Sequence, residues 1–431
     1  MLTTLRQRNF ALLWLGGLIS QTGDWLLFIG LPVYVYLLTG SALATSILGM
    51  VSLVPGLLVG SVAGVFVDRW DRRLTLLIAN LLLAVGLLPL FFVHDQGSLW
   101  MMYPALFFEA IVSRVVSPAE DALLPQLVSA EQLVTANSLN AISSNISRLI
   151  GAALGGILLG LLGLRITVLL DLISFLFVVV MLWLLRVPQQ TPIRPAQAVD
   201  ERVSAPSSSI LTAWKRTGRE WLEGLWLIRS QPPLIVLFVM FAAMNLGEGV
   251  FGVMLVVFVR QVLNAGAVIY GSLLSVQTIG SLLGGLLIGQ FARRIAPARL
   301  IWLGCCLFGL IDLLIIDLPL FIHGIWLVAL LFLLVGIPGV GFSVGMQTLL
   351  QTSVENRFLG RISGSRLAVN SLMALIGTTL AGVFGDRLGP VLLLNIQGSV
   401  YFLSGVLALL TLSKMLAKIA AARQKEQASM A

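Results

Sequence analysis

An all-α polytopic membrane fold, with twelve transmembrane helices in two six-helix pseudo-repeats, is predicted by three observations. These are an apolar composition, apolar runs of membrane-spanning length, and a likeness between the two halves of the chain. The 431 residues are 58% hydrophobic and 11% charged, with a mean hydropathy of +1.00. A water-soluble surface of this size cannot be built from so few charges. The runs far exceed the ~10 residues of a barrel strand, and a helix satisfies its own backbone polar groups in lipid.

Runs long enough to cross ~30 Å at about 1.5 Å per residue cover Phe10 to Leu38, Leu43 to Val67, Leu74 to Val93, Ser98 to Ser117, Ser138 to Leu164 and Ile166 to Leu185. After a polar gap come Leu234 to Val259, Ile269 to Ala292, Leu300 to Ile316, Ile325 to Leu350, Leu367 to Gly385 and Val391 to Leu412. The first run is too long for a signal-peptide core and reads as a membrane helix.

Of the 27 Lys and Arg residues, only Arg165, Arg260 and Arg387 fall in loops on one side, and Arg114 and Arg148 lie inside helices. The rest gather opposite: in the N-terminal lead, the loop Asp68 to Arg73, the central gap, Arg293 to Arg299, Arg357 to Arg366 and the tail. This asymmetry predicts a multi-pass protein with both termini cytoplasmic. The net charge of +8 therefore serves topology, and no nucleic-acid partner is expected.

The gap Arg186 to Pro233 changes composition. Pro188, Pro192, Pro195, Pro206 and Ser207 to Ser209 describe an extended linker. An amphipathic helix follows, with Leu211, Trp214, Trp221, Leu225 and Ile228 near one face and Lys215, Arg216 and Arg219 elsewhere. The expected organisation is an N-terminal six-helix bundle over 1-187, a cytoplasmic linker over 188-232, a C-terminal bundle over 233-413 and a basic cytoplasmic tail over 414-431.

The halves repeat without a gap from Ala122 on Thr348 onward, so that Leu149-Ile150-Gly151 falls on Leu375-Ile376-Gly377. The same offset puts Trp100 on Trp326 and Gly163 on Gly389, and a slightly shorter one puts Gly23-Asp24 on Gly247-Glu248. Two parallel repeats are the architecture of one large class of secondary transporters, which place the substrate near mid-membrane.

The stretch "GVFVDRWDRR" resembles the loop 2-3 signature of the major facilitator superfamily, Gly-x-x-x-Asp-Arg-x-Gly-Arg-Lys. Gly64, Asp68, Arg69, Arg72 and Arg73 match in type, while Asp71 replaces the usual glycine. The form of the motif is similar to the branch of macrolide-efflux proteins and siderophore exporters. So are "RNFALLWLGGLISQTGDW" at Arg8, "PAEDALLPQLVSAEQLVTANSL" at Pro118, "EGLWLIRSQPPL" at Glu223 and "GRISG" at Gly360. The resemblance implies a latch: Asp68 and its neighbours dock near Gly360 and Arg361, at the start of the eleventh run, and close the cytoplasmic side. A helix end can hold such a carboxylate through its dipole and free N–H groups. The second half has Gly289 on Gly64 but Arg293 where Asp68 would be, so that copy lacks the carboxylate. "GVFGDR" at Gly382 looks like a third copy at the extracellular end of the eleventh run. "GAALGG" resembles the antiporter signature Gly-Pro-x-x-Gly-Gly, with Gly151, Gly155 and Gly156 retained for helix packing and Ala152 in the proline position.

Ionisable side chains inside membrane helices are costly and mark function. Asp24 and Glu248 stand about halfway along the first and seventh runs, which line the cavity in the resembling family. A carboxylate there can alternate between a proton and a cationic or polar substrate. Arg114 resembles a fourth-helix arginine associated with proton transfer, although snorkelling to the interface explains it as well. Glu109 could line the cavity, and Arg148 could compensate Asp24, Glu109 or Glu248. Asp171 and Asp312 lie nearer the outer ends of their runs, where a structural or access role is expected.

His94 and His323 have no metal-ligand company, and adjacent Cys305 and Cys306 suit neither a disulfide framework nor a zinc site. No phosphate loop or nucleophile elbow appears, so neither an enzyme nor an ATP-driven pump is expected, and no cofactor. The resemblance implies a proton-coupled antiporter in the bacterial plasma (inner) membrane. It would export amphiphilic small molecules such as macrolide-type drugs, with a small-molecule substrate, protons and the lipid bilayer as partners and a monomer as the working form. The alternatives are a siderophore exporter, or a lipid-handling or non-transporting protein on the same fold.

Overall fold

The computed structural model describes residues 2–67, 70–186, 229, 232–291, 295–322, 324–353 and 356–430. The linker, its amphipathic helix, Asp68, Arg69 and His323 lie outside the described residues, as do the side chains of Gly64, Gly360, Arg361 and the tail. Among the described residues, ten long helices carry the fold. They are α1 (Arg8–Thr39), α2 (Ala42–Val67), α3 (Arg72–Gly86), α4 (Met102–Leu127), α5 (Leu133–Leu184), α6 (Pro232–Gln261), α7 (Ala267–Phe291), α8 (Pro297–Asp317), α9 (Ile325–Ser353) and α10 (Asn356–Met430).

Among the described residues, nine helices are long and apolar enough to cross a membrane, and α2 adds the shorter apolar stretch Ala42–Leu57. Each of the twelve sequence runs falls on a helix or an arm of one. The two exceptional lengths, α5 and α10, each contain two runs divided at a glycine. Gly163 has φ 77° and ψ 177°, and Gly389 has φ 75° and ψ 165°. That backbone region is open essentially to glycine alone. The repeat-related glycines thus make the same break in both halves. The tail expected as a separate segment continues α10 as helix to Met430.

The chain divides into two compact units, Met1–Tyr34 with Val51–Arg219, and Val35–Met50 with Glu220–Ala431. In the first, Leu13 of α1, Leu76 of α3, Leu123 of α4 and Leu182 of α5 form one buried cluster, and Phe10, Leu124, Ala136 and Leu139 form another. In the second, Leu237 and Met240 of α6 pack with Ile301 of α8, Phe342 of α9, and Ile362 and Ala408 of α10. The outward faces stay apolar: Leu161, Ile173 and Trp183 of α5 and Leu392, Ile396 and Leu403 of α10 are exposed. That is the surface hydrocarbon chains require. Trp100 and Trp326, matched by the repeat, are both exposed near helix starts, as interfacial anchors are.

The one departure from the signature, Asp71, and one of its matching residues, Arg73, both take part in local contacts. Asp71 is the N-cap of α3, its carboxylate accepting from the Leu74 N–H at 2.7 Å, where the signature glycine could offer no side-chain acceptor. Arg73 is given a role other than the expected latch. It donates to the Leu182 and Trp183 carbonyls, both at 2.8 Å, neutralising the C-terminal end of α5 within its own unit.

Candidate functional site

In the first unit, α1 is gripped by both arms of α5. On the first arm, a Cβ at Gly151 would stand 2.8 Å from the Thr22 carbonyl oxygen, and one at Gly155 2.7 Å from that of Leu26. On the second arm, Gly23 lies directly against the Asp171 carboxylate and the Ser174 hydroxyl. Only glycine permits backbones to approach this closely. Hydrogen bonds complete the grip: Trp14 Nε1 donates to the Leu139 carbonyl at 3.1 Å and Ser147 Oγ to that of Leu18 at 2.9 Å. Gly156, third of the signature glycines, is buried on the same arm.

This grip holds Asp24. Its side chain is exposed, and no hydrogen bond or ion pair engages it among the described residues. Glu109, Glu120 and Asp171 lie close enough for their charges to interact with it. Asp171 is fully buried. One of its oxygens accepts from Ser174 Oγ at 3.1 Å, while the other, like Glu109 Oε2, is buried without a partner. Asp171, for which a structural or access role was expected, thus also lies within range of the Asp24 charge.

The two intramembrane arginines leave these carboxylates alone. Arg148 stacks its guanidinium over the Trp25 ring at 5.4 Å. Arg114 lies on α2 at Gly56, where a Cβ would be 2.9 Å from Nη2, and its Nε has no partner. The fourth run was expected to end at Ser117, placing Arg114 near a helix end. Instead α4 continues through Pro118 to Leu127, so Arg114 sits at its middle.

The same extension exposes residues that hydropathy hid. A cavity of about 240 Å³ opens beside Trp14 and Gln21 of α1, Glu120 and Asp121 of α4, and Asn140 and Ser144 of α5. Prolines and acids lowered the local hydropathy and closed the run too early. The "PAED" stretch matching the family branch was the available signal.

The second unit repeats the grip with different side chains. Gly377 on the first arm of α10 lies against the Leu246 carbonyl, as Gly151 does against that of Thr22. Gly249 meets Ala374 on the first arm, and Gly247 meets the Tyr401 ring on the second. Glu248 stands between these two glycines, exposed, with Tyr270, Asp312 and Tyr401 within reach of its charge. Gln397 Nε2 donates to Asp312 at 3.3 Å and Tyr401 Oη to the Met244 carbonyl at 2.9 Å. No group of three or more His, Cys, Asp or Glu able to hold a metal occurs among the described residues.

Two repeats, each clamping a carboxylate-bearing helix between the arms of a glycine-broken partner, define a secondary transporter class. The Major Facilitator Superfamily profile matches residues 13–378 and, in an overlapping second match, 237–430. The chain belongs to the Major Facilitator Superfamily, whose members are transporters and not enzymes. It is 26% identical to an uncharacterized MFS-type transporter, YfiS, of Bacillus subtilis, covering 91% of this chain and 90% of the relative. It is 25% identical to macrolide efflux protein A of Streptococcus pyogenes, covering 88% and 90%, and 25% identical to the enterobactin exporter EntS of Citrobacter koseri, covering 94% and 92%. Among solved structures, a bacterial homologue of the iron transporter ferroportin in an inward-facing state superposes with a TM-score of 0.72 at 16% identity, covering 93% and 98%.

Proposed function

We propose that this transporter is a proton-coupled exporter of amphiphilic small molecules, macrolide-type compounds first, in the bacterial plasma membrane with both termini cytoplasmic. The observation that carries the reading is Asp24: an exposed intramembrane carboxylate with no ion pair among the described residues and within charge range of Glu109, Glu120 and Asp171. Such a group can exchange protons, because no guanidinium holds it permanently ionised. The polar cavity at Glu120 and Asn140, walled on one side by Trp14, suits an amphiphile that carries hydrogen-bonding groups. The names of the macrolide and enterobactin relatives support efflux as the direction. The working unit is a monomer in the bilayer, and Asp68 with Arg69 and Arg72 acts as a latch at Gly360 and Arg361.

A siderophore is the second reading, favoured by Arg148 and Arg114, whose charges no carboxylate neutralises among the described residues and which could meet an anionic cargo. Both are tested in everted vesicles holding a proton gradient. Added macrolide should collapse the gradient, and Asp24→Asn should reduce the collapse at least about tenfold, the loss of ~1.4 kcal/mol of coupling. A response to catecholates alone would select the siderophore. Silence to both, with folded protein in the membrane, would defeat the export reading.

A further inference from the structure

The start of α2 is held by a carboxylate from α10. Residues 35–50 pack with the second unit, although the chain on either side, up to Tyr34 and from Val51, packs with the first. Within that unit the Ala42 N–H donates to Asp386 Oδ1 at 2.8 Å, and Ser41 Oγ donates to Oδ2 at 3.2 Å. Ala42 is the first residue of α2, so its N–H has no acceptor in its own helix, and the positive end of the helix dipole favours an anion there. The surrounding contact is tight. Gly382 lies directly against Ser46, Gly385 would place a Cβ 2.9 Å from that of Ala42, and Gly49 one 3.0 Å from Thr378 Cγ2. Gln261 Nε2 adds a hydrogen bond to Tyr36 Oη at 2.8 Å.

The residues that do this are Gly382 and Asp386 of "GVFGDR", and they keep the spacing of Gly64 and Asp68 in "GVFVDR". The Gly382 copy meets the beginning of α2, and the Gly64 copy lies at its end. We infer that Asp386 is a second latch, acting on the opposite end of α2 from the Gly64 to Asp68 motif.

The contact is built to let go. It joins α2 and α10 through two hydrogen bonds to one carboxylate and a seam of small residues. The segment it holds is bracketed by Pro32 in α1 and Pro55 in α2. Each proline removes a backbone hydrogen bond from its helix and provides a place to bend. Displacement of the start of α2 from α10 must therefore either bend the chain at these prolines or break the cap at Asp386. The inference goes beyond the export reading, because a latch of this kind would serve any cargo.

The test follows the buried Ser46 as a reporter. Ser46→Cys is introduced into the full chain and labelled with a hydrophilic maleimide in open membrane sheets, with the parent chain in parallel to account for Cys305 and Cys306. Adding Asp386→Ala should speed labelling about fivefold, the ratio expected for losing an N-cap. Asp386→Asn, which keeps an acceptor for the Ala42 N–H, should stay within about twofold of the reporter alone. Trp100→Cys, exposed and in the other unit, controls for general loosening and should label at the same rate with or without Asp386→Ala. Equal rates at position 46 in the presence and absence of Asp386→Ala would overturn the inference, as would a parallel rise at position 100. Should Asp386→Ala fail to reach the membrane, Ser41→Ala removes only the weaker donor. It should still raise the rate at position 46 about twofold, and no rise there would also overturn the inference.

Discussion

The two units share a backbone design and differ in what they hang on it. In both, a long helix breaks at a glycine of positive φ, Gly163 or Gly389, and its arms grip the helix that carries the central carboxylate. In both, a glycine of the first arm meets the same carbonyl, Thr22 in one and Leu246 in the other. The polar groups diverge. Asp121 and Asn140 line an open cavity in the first unit. Their repeat counterparts, Gln347 and Arg366, are hydrogen-bonded to each other at 2.6 Å, and the guanidinium lies 5.9 Å over the Phe241 ring. One unit keeps a hole where the other makes an internal bond. A repeat constrained by glycine contacts is thus free to specialise at its polar positions, because hydrogen-bonding partners can be exchanged without moving a backbone.

The comparison breaks most severely at the shared glycines. Gly163→Ala and Gly389→Ala should each cost about 1–3 kcal/mol, since both force a side chain into a glycine-only region. Thermal unfolding of the purified chain in detergent measures this, and a neutral result at one site alone would end the correspondence. Gly151→Ala and Gly377→Ala should also destabilise by up to ~3 kcal/mol through overpacking, with Gly377→Ala the worse, because its approach to the Leu246 carbonyl is the closer.

Exchanging the polar positions sharpens the contrast. Asp121→Gln with Asn140→Arg writes the second unit's pair into the first, filling the cavity. Efflux should fall about tenfold, equivalent to ~1.4 kcal/mol, with little change in the melting temperature. Full activity would mean that the cavity plays no part in transport. The smallest effect is expected from Arg366→Ala, which removes one hydrogen bond and one cation–π contact at a half-buried site. It should destabilise the protein by about 1 kcal/mol, and denaturation followed by tryptophan fluorescence would detect it.

Much of this was legible beforehand. Hydropathy placed each apolar run on a helix or an arm of one, because lipid imposes an apolar composition over the full length of a span. The self-similarity of the halves singled out Gly163 with Gly389 and Gly23-Asp24 with Gly247-Glu248 before any coordinates. Hydropathy erred at Ser117, where Pro118 and the acids after it hid ten further residues of α4 and with them Glu120 and Asp121. The proximity of Asp171 to Asp24 was not legible, for a different reason. Depth along a helix can be counted from sequence, but which face meets a neighbour cannot.

The sequence by itself therefore determined the class of fold, the spans and the pairing of the repeats, since each depends on local composition or on matching residues along one chain. Only the tertiary structure decided that Arg148 stacks on Trp25, that Arg73 closes α5, that Asp71 caps α3, and that Asp386 holds the start of α2 from far along the chain. Those contacts depend on direction and distance between helices. A short polar side chain reaches only ~3 Å to its partner, and one turn of helix rotation is enough to send it elsewhere.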